Sequence, residues 1–108
     1  MEITEPPVLE VSLSTKGEGS IVIESDHQIE EIVKALASST RRKILSQIQD
    51  EPADVSKIAA SLDMTEANIS AQIKKLEKAG LIDCNYSSGQ HGVRKISSLK
   101  YNKLIIKF

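Results

Sequence analysis

The chain has 108 residues, 40% of them hydrophobic and 27% charged, which suits one ordinary globular domain with a net charge of -1. Its only aromatic residues are Tyr86, Tyr101 and Phe108, so the core must be aliphatic. No apolar run approaches the roughly 18–20 residues of a membrane span, the acidic start MEITEPPVLE lacks the pattern of a signal peptide, and the lone Cys84 allows no intrachain disulfide, which fits a reducing cytoplasm.

Residues 1–25 read as strands. VLEVSL (8–13) puts Leu9, Val11 and Leu13 on one side, and SIVIES (20–25) alternates through Ile21 and Ile23. The intervening TKGEG supplies two glycines for a hairpin turn. Pro6 and Pro7 keep the first residues out of regular structure.

Residues 26–80 read as helical. Ile29, Ile32, Val33 and Leu36 form the stripe of a first helix, with Asp26 as its N-cap. Ser38-Ser39-Thr40 caps a second helix with Ile44, Leu45 and Ile48 inward, which Asp50-Glu51-Pro52 ends. Asp54 caps a third helix burying Ile58, Ala59 and Leu62, and a turn follows around Leu62–Met64. Thr65 caps a fourth, with Ile69, Ile73 and Leu76 on one face and Ala79-Gly80 closing it. Its other face carries Glu66, Asn68, Gln72, Lys74 and Lys75. An aliphatic stripe backed by amides and ammoniums, after a tight turn and a short supporting helix, is what a DNA-reading helix-turn-helix needs.

Residues 81–108 return to strand patterns. LIDCNY and VRKISSL flank the polar loop SSGQHG, a hairpin after the reading helix, and KLIIKF (103–108) reads as a terminal strand. The fold class is therefore α+β, mainly α: a winged helix-turn-helix with additional N- and C-terminal strands. We divide it into an extension over 1–25, a winged-helix domain over 26–99 and a final strand over 100–108.

Charge follows this division. Residues 1–33 hold eight acids and one base (-7), and residues 34–108 hold thirteen bases and seven acids (+6). Such asymmetry points to a nucleic-acid partner, although lysines spread over a solvated surface give a similar count. Asn68 and Gln72, spaced i, i+4, match bidentate adenine recognition, and Glu66 matches cytosine N4. Thr65 sits at a helix N-terminus suited to phosphate. Lys75, one turn beyond Ala71 and Gln72, is assigned to phosphate. Arg42 and Lys43 put positive charge in the first turn of the second helix, an unfavourable place that implies another demand, and phosphate is the natural one. Arg41, three before Ile44, is expected to pair internally with a carboxylate. Ser56 and Lys57 face the DNA backbone from the third helix. In the wing, Gln90, Arg94 and Lys95 reach the adjacent minor groove, or else the charged ones serve as exposed edge charges, and His91 at the glycine-bearing tip is solvent-exposed or near a phosphate.

The order ALASSTRRKIL, then IAASLDM and NISAQIKKLEKAGLI, then GVRKISSL resembles the winged-helix repressors of the ArsR type, over roughly residues 32–99, the wing being similar to archaeal-looking members. The resemblance implies homodimeric binding to double-stranded operator DNA and transcriptional control. The chain departs from that pattern in two places. Its third helix, DVSKIAASLD, lacks the paired cysteines of the family's metal sensors, and Cys84, His91 and His27 have no metal-ligand spacing, so no metal or other cofactor is expected. The C-terminal dimerisation helix of the family is replaced by KLIIKF, so the terminal strands are candidates for joining sheets between subunits. No catalytic motif is present, and no enzyme activity is expected. The competing reading is a winged helix used for protein–protein contact in a transcription or other assembly.

Overall fold

The computed structural model describes residues 9–89 and 92–108; Pro6, Pro7 and the wing-tip residues Gln90 and His91 lie outside the described residues. The chain runs β1 (Glu10–Ser14), β2 (Ser20–Ile23), α1 (Asp26–Leu36), α2 (Ser39–Asp50), β3 (Ala53–Asp54), α3 (Val55–Leu62), α4 (Glu66–Lys78), β4 (Ile82–Gly89), β5 (Gly92–Leu99) and β6 (Lys103–Lys107). The strands form two antiparallel sheets, ordered β2-β1-β6 and β3-β5-β4.

The terminal sheet is built as the alternation predicts, with Val11, Leu13 and Ile23 buried. Ile21 departs from the expectation: it shares the inner face with its partner Leu13 but stays 46% exposed. The reason is position, since β2 is the outer strand and the helices do not reach its far side. β6, the expected last strand, lies on the other side of β1, pairing Leu13 with Leu104 and Val11 with Ile106. Backbone bonds from Asn102 to Ser14 and from Lys100 to Leu81 tie this sheet to the wing base.

α1 is capped by Ser25, whose hydroxyl accepts from the Gln28 N–H at 3.2 Å, and not by Asp26. Asp26 is instead the first helical residue, where its charge complements the positive end of the helix. Its buried face centres on Ile32 and Ala35, which turns Val33 outward to 52% exposure and removes it from the expected stripe. Ser38, Asp54 and Thr65 cap α2, α3 and α4, each accepting from the N–H three residues on. Asp63 ends α3 in the left-handed region (φ 54°), and Met64 N–H bonds back to the Ala59 carbonyl at 3.0 Å. This is the tight turn between α3 and α4. Gly80 ends α4 at φ +79°, with its N–H on the Glu77 carbonyl and that of Leu81 on the Leu76 carbonyl, a Schellman arrangement that a side chain would strain.

Two features of the wing differ from the sequence reading. SSGQHG is not all loop: the ladder continues through Ser87, Ser88 and Gly89, the last facing Gly92. Register, not apolar patterning, sustains these pairs, for both ribbon faces are exposed there. β3, only two residues long, adds a third wing strand by pairing Ala53 with Ser97 and Asp54 with Ile96. One aliphatic core joins the layers, with Ile44, Ile58, Ile69, Ile73 and Leu76 fully buried.

Candidate nucleic-acid interface

The outer surface of α4 is left uncovered by the described residues. Because Ile69, Ile73 and Leu76 fix the inward direction, the 3.6-residue repeat places Ala67, Ala71, Lys74 and Lys78 diametrically outward. All four are exposed. Ala71 and Lys74 are expected on this face from the sequence; Ala67 is an additional member, legible once the stripe is projected onto a wheel. Asn68, Gln72 and Lys75 lie on the flank that faces α2. Asn68 and Lys75 are exposed, while Gln72 is half-buried.

The half-burial of Gln72 has a specific cause. Arg41, in the first turn of α2, donates from Nε to the Ala35 carbonyl (2.8 Å), from Nη2 to the Lys34 carbonyl (2.8 Å) and from Nη1 to Gln72 Oε1 (2.7 Å). The expected carboxylate partner of Arg41 is therefore replaced by two main-chain carbonyls and an amide. Gln72 Nε2 in turn donates to Asn68 Oδ1 at 3.0 Å, and among the described residues Asn68 Nδ2 meets only the Met64 sulfur at 3.8 Å. The two amides thus form one chain anchored by a guanidinium. Its exposed end, the Asn68 NH2, is held weakly and is the easier group to offer to a base.

The basic residues separate into engaged and free. Arg42 Nη1 donates to the Leu36 carbonyl at 2.7 Å. The carbonyls at the C-terminus of α1 therefore supply a demand for this charge besides the expected phosphate. Lys43 is exposed and makes no ion pair among the described residues. Lys57 pairs with Glu51 at 2.5 Å, holding that carboxyl below its usual range through a hydrogen bond and the adjacent charge. Both side chains are exposed, so the pair is easily exchanged for another anion.

On the wing side, Asp54, Ser56, Glu66, Arg94 and Lys95 line one cleft of about 530 Å³. Ser56 hydrogen-bonds Glu66, Arg94 pairs with Asp54, and Lys95 pairs with Glu77 at 3.4 Å. Asp54 is held below the usual carboxylate range first by the Lys57 N–H it caps, with Arg94 adding to the effect. Arg94 and Lys95, adjacent on β5, are each spent on a carboxylate of the fold. Behind them, Ser97 is fully buried with its hydroxyl 3.5 Å from Cys84 Sγ, and burial pushes the Cys84 thiol up.

A short helix, a tight turn, an uncovered second helix and a three-stranded wing define a winged helix-turn-helix protein. The profile of the bacterial regulatory proteins of the arsR family matches residues 38–83. A solved ArsR family transcriptional regulator is 31% identical, with a TM-score of 0.60 over 71% of this chain and 75% of that one. A homodimeric winged helix-turn-helix DNA-binding domain from Mycobacterium bovis, a possible ArsR-family regulator, is 25% identical, with a TM-score of 0.60 over 73% and 75% of the two chains. The cadmium sensor CMTR from Mycobacterium tuberculosis is 30% identical, with a TM-score of 0.54 over 66% and 69%. No curated protein matches the chain in sequence. The chain belongs to the ArsR family of transcriptional regulators and carries that family's DNA-binding domain. No helix among the described residues is long and apolar enough to cross a membrane.

Proposed function

We propose that the protein is a homodimeric, sequence-specific repressor that acts in the cytoplasm by binding double-stranded operator DNA, without catalysis. The observation that carries this reading is the outer face of α4, which no other part of the described chain covers. α4 enters a major groove with Ala67 and Ala71 permitting close approach. Asn68 and Gln72 read base edges from the α2-facing flank of α4 and Glu66 from the wing-facing flank, while Arg42, Lys43, Ser56, Lys57, Thr65 and Lys75 position the backbone. From the wing, Arg94 and Lys95 reach the next groove once they exchange their carboxylate partners for phosphate, and Gln90 and His91 are assigned to the same contact. An archaeal source rests on the wing sequence GVRKISSL. We place the unit boundaries at residues 25 and 99.

The homodimer draws support from the Mycobacterium bovis neighbour and from Ile21, Val22 and Ile106, apolar side chains left exposed on the terminal strands, with exposed Phe108 following β6. Selection of bound sequences from random DNA, followed by affinity measured against salt, tests the reading. An enriched site and a steep fall of affinity with salt are expected. No enrichment and a flat salt response would favour the protein-contact reading.

A further inference from the structure

A cluster of cations free of ion pairs among the described residues lies on the side of α4 away from the wing. Lys34 of α1, Arg41 of α2 and Lys75 and Lys78 of α4 surround a pocket of about 270 Å³, completed by Glu31 and Ala35. Lys34, Lys75 and Lys78 make no ion pair among the described residues, and Glu31 is 3.9 Å from His27 Nε2. Lys34 lies in the last turn of α1, and Lys75 and Lys78 lie in the last turn of α4. Complementing two helix ends is therefore one reason for these lysines, and it is insufficient. Each helix C-terminus carries roughly -0.5 of a charge, so the two ends with Glu31 offset about two of the four cations and leave a surplus of about +2. The wing-side cleft has no comparable surplus, because Arg94 and Lys95 are lined there with Asp54 and Glu66.

We propose that this pocket is a phosphate site, to which α1 contributes Lys34 from outside the helix-turn-helix. It opens beside Lys75, on the flank of α4 that carries Asn68 and Gln72, so a backbone phosphate bordering the groove read by those amides is the source the placement favours. A free phosphate is the other source of the same chemistry. Arg41, held by the α1 carbonyls and Gln72, lines the pocket as a fixed cation, and the three exposed lysines are its unpaired donors. The assignment of a DNA source rests on the DNA-binding reading; the phosphate site itself does not.

The test uses the full chain and two arms. In the first, Lys34→Gln and Lys78→Gln are compared with Lys16→Gln, a lysine in the β1–β2 turn, in DNA affinity measured over a range of salt. Each pocket variant is expected to make the slope of log affinity against log salt shallower by roughly 0.9, with Lys16→Gln unchanged. In the second, the DNA-free protein is titrated with inorganic phosphate while backbone amide NMR shifts of residues 34, 35, 75 and 78 are followed. Altered slopes assign the pocket to operator phosphate. Unaltered slopes with saturable shifts that Lys34→Gln abolishes assign it to a free phosphate. Unaltered slopes without saturable shifts overturn the site. Should the wild-type protein fail to bind DNA, the DNA reading falls and the titration alone decides the pocket. Circular dichroism melts of the variants, expected to overlay the wild type within a few degrees, exclude misfolding as the cause.

Discussion

Replacing Arg41 by alanine tests how the reading helix is held. The guanidinium makes three hydrogen bonds, two to the last-turn carbonyls of α1 and one to Gln72 on α4. Bonds to a charged group contribute about 1.5–3 kcal/mol each when fully counted. Three such terms would approach the whole stability of a small domain, about 5–15 kcal/mol, so the sum is too large. Arg41 is half-buried, and water can reach the carbonyls once it is removed. We therefore expect a net loss of about 2 kcal/mol, near the value of a single fully counted bond. For a domain of this size that lowers the melting midpoint by roughly 8 °C, measured at fixed protein concentration because a dimer's midpoint depends on it. Arg41→Lys should recover little, since one ammonium cannot reproduce a planar fork with three acceptors. DNA selectivity should broaden in both variants as Gln72 loses its anchor, and a cycle with Gln72→Ala should give a coupling of about 0.5 kcal/mol or more. A midpoint for Arg41→Ala within about 2 °C of wild type would refute the reasoning.

Gln72→Ala should lower discrimination between sites more than Lys75→Ala does, whereas Lys75→Ala should flatten the salt dependence; equal weakening on all sequences in both variants would remove the base-reading role. Asn68→Ala should change site preference at least as much as Gln72→Ala, read by the same selection, because its NH2 is the freer of the two. Asp54 has a carboxyl depressed below its unfolded pKa of about 3.9. Its stabilisation is thus fully present above that value and lost as pH falls through the lower folded value. Asp54→Asn keeps a capping oxygen but not the charge, so its melting midpoint should change less than that of the wild type between pH 5 and pH 2. Val22→Lys with Ile106→Lys should give a monomer by analytical ultracentrifugation if the terminal strands join subunits; an unchanged dimer would place the interface elsewhere. Deleting residues 1–25 is a poorer test, because it also strips Val11, Leu13 and Ile23 from the core.

The periodic parts of the chain were legible because one physical rule decides each. Aliphatic spacing sets the helix faces, and Ser38, Asp54, Thr65 and Gly80 sit where unpaired backbone groups need them. What escaped the sequence depends on neighbours remote in the chain. β3 is two residues long and exists only because β5 offers it an edge. Val33 reads as core until α2 and α4 select Ile32 and Ala35 as the contact side of α1. Ser25 and Asp26 are both good caps, and chain direction entering the helix chooses between them. Arg41 carried a signal that reading by composition overlooks. α1 ends at Leu36 and α2 begins at Ser39. A link that short sets the first turn of α2 against the open carbonyls of α1, and an arginine there has acceptors waiting.

The same distinction governs the interface. From sequence, every lysine and arginine between residues 34 and 108 counts equally toward a +6 surplus. In the fold, Arg94, Lys95 and Lys57 face carboxylates and Arg41 and Arg42 face carbonyls, while Lys34, Lys43, Lys74, Lys75 and Lys78 face no acid of the described chain closely enough to pair. Binding through the engaged group must first break an intramolecular bond, which reduces its net gain; binding through the free group does not. The salt slope should therefore be dominated by α4, α1 and the start of α2, with the wing contributing less. Charge-removing substitutions at Lys74 or Lys43 should flatten it by about one unit each, and Lys95→Gln by much less. The opposite ranking would mean that the wing exchanges Glu77 for DNA at little cost, and that side-chain pairing in the free protein is a poor guide to the bound one.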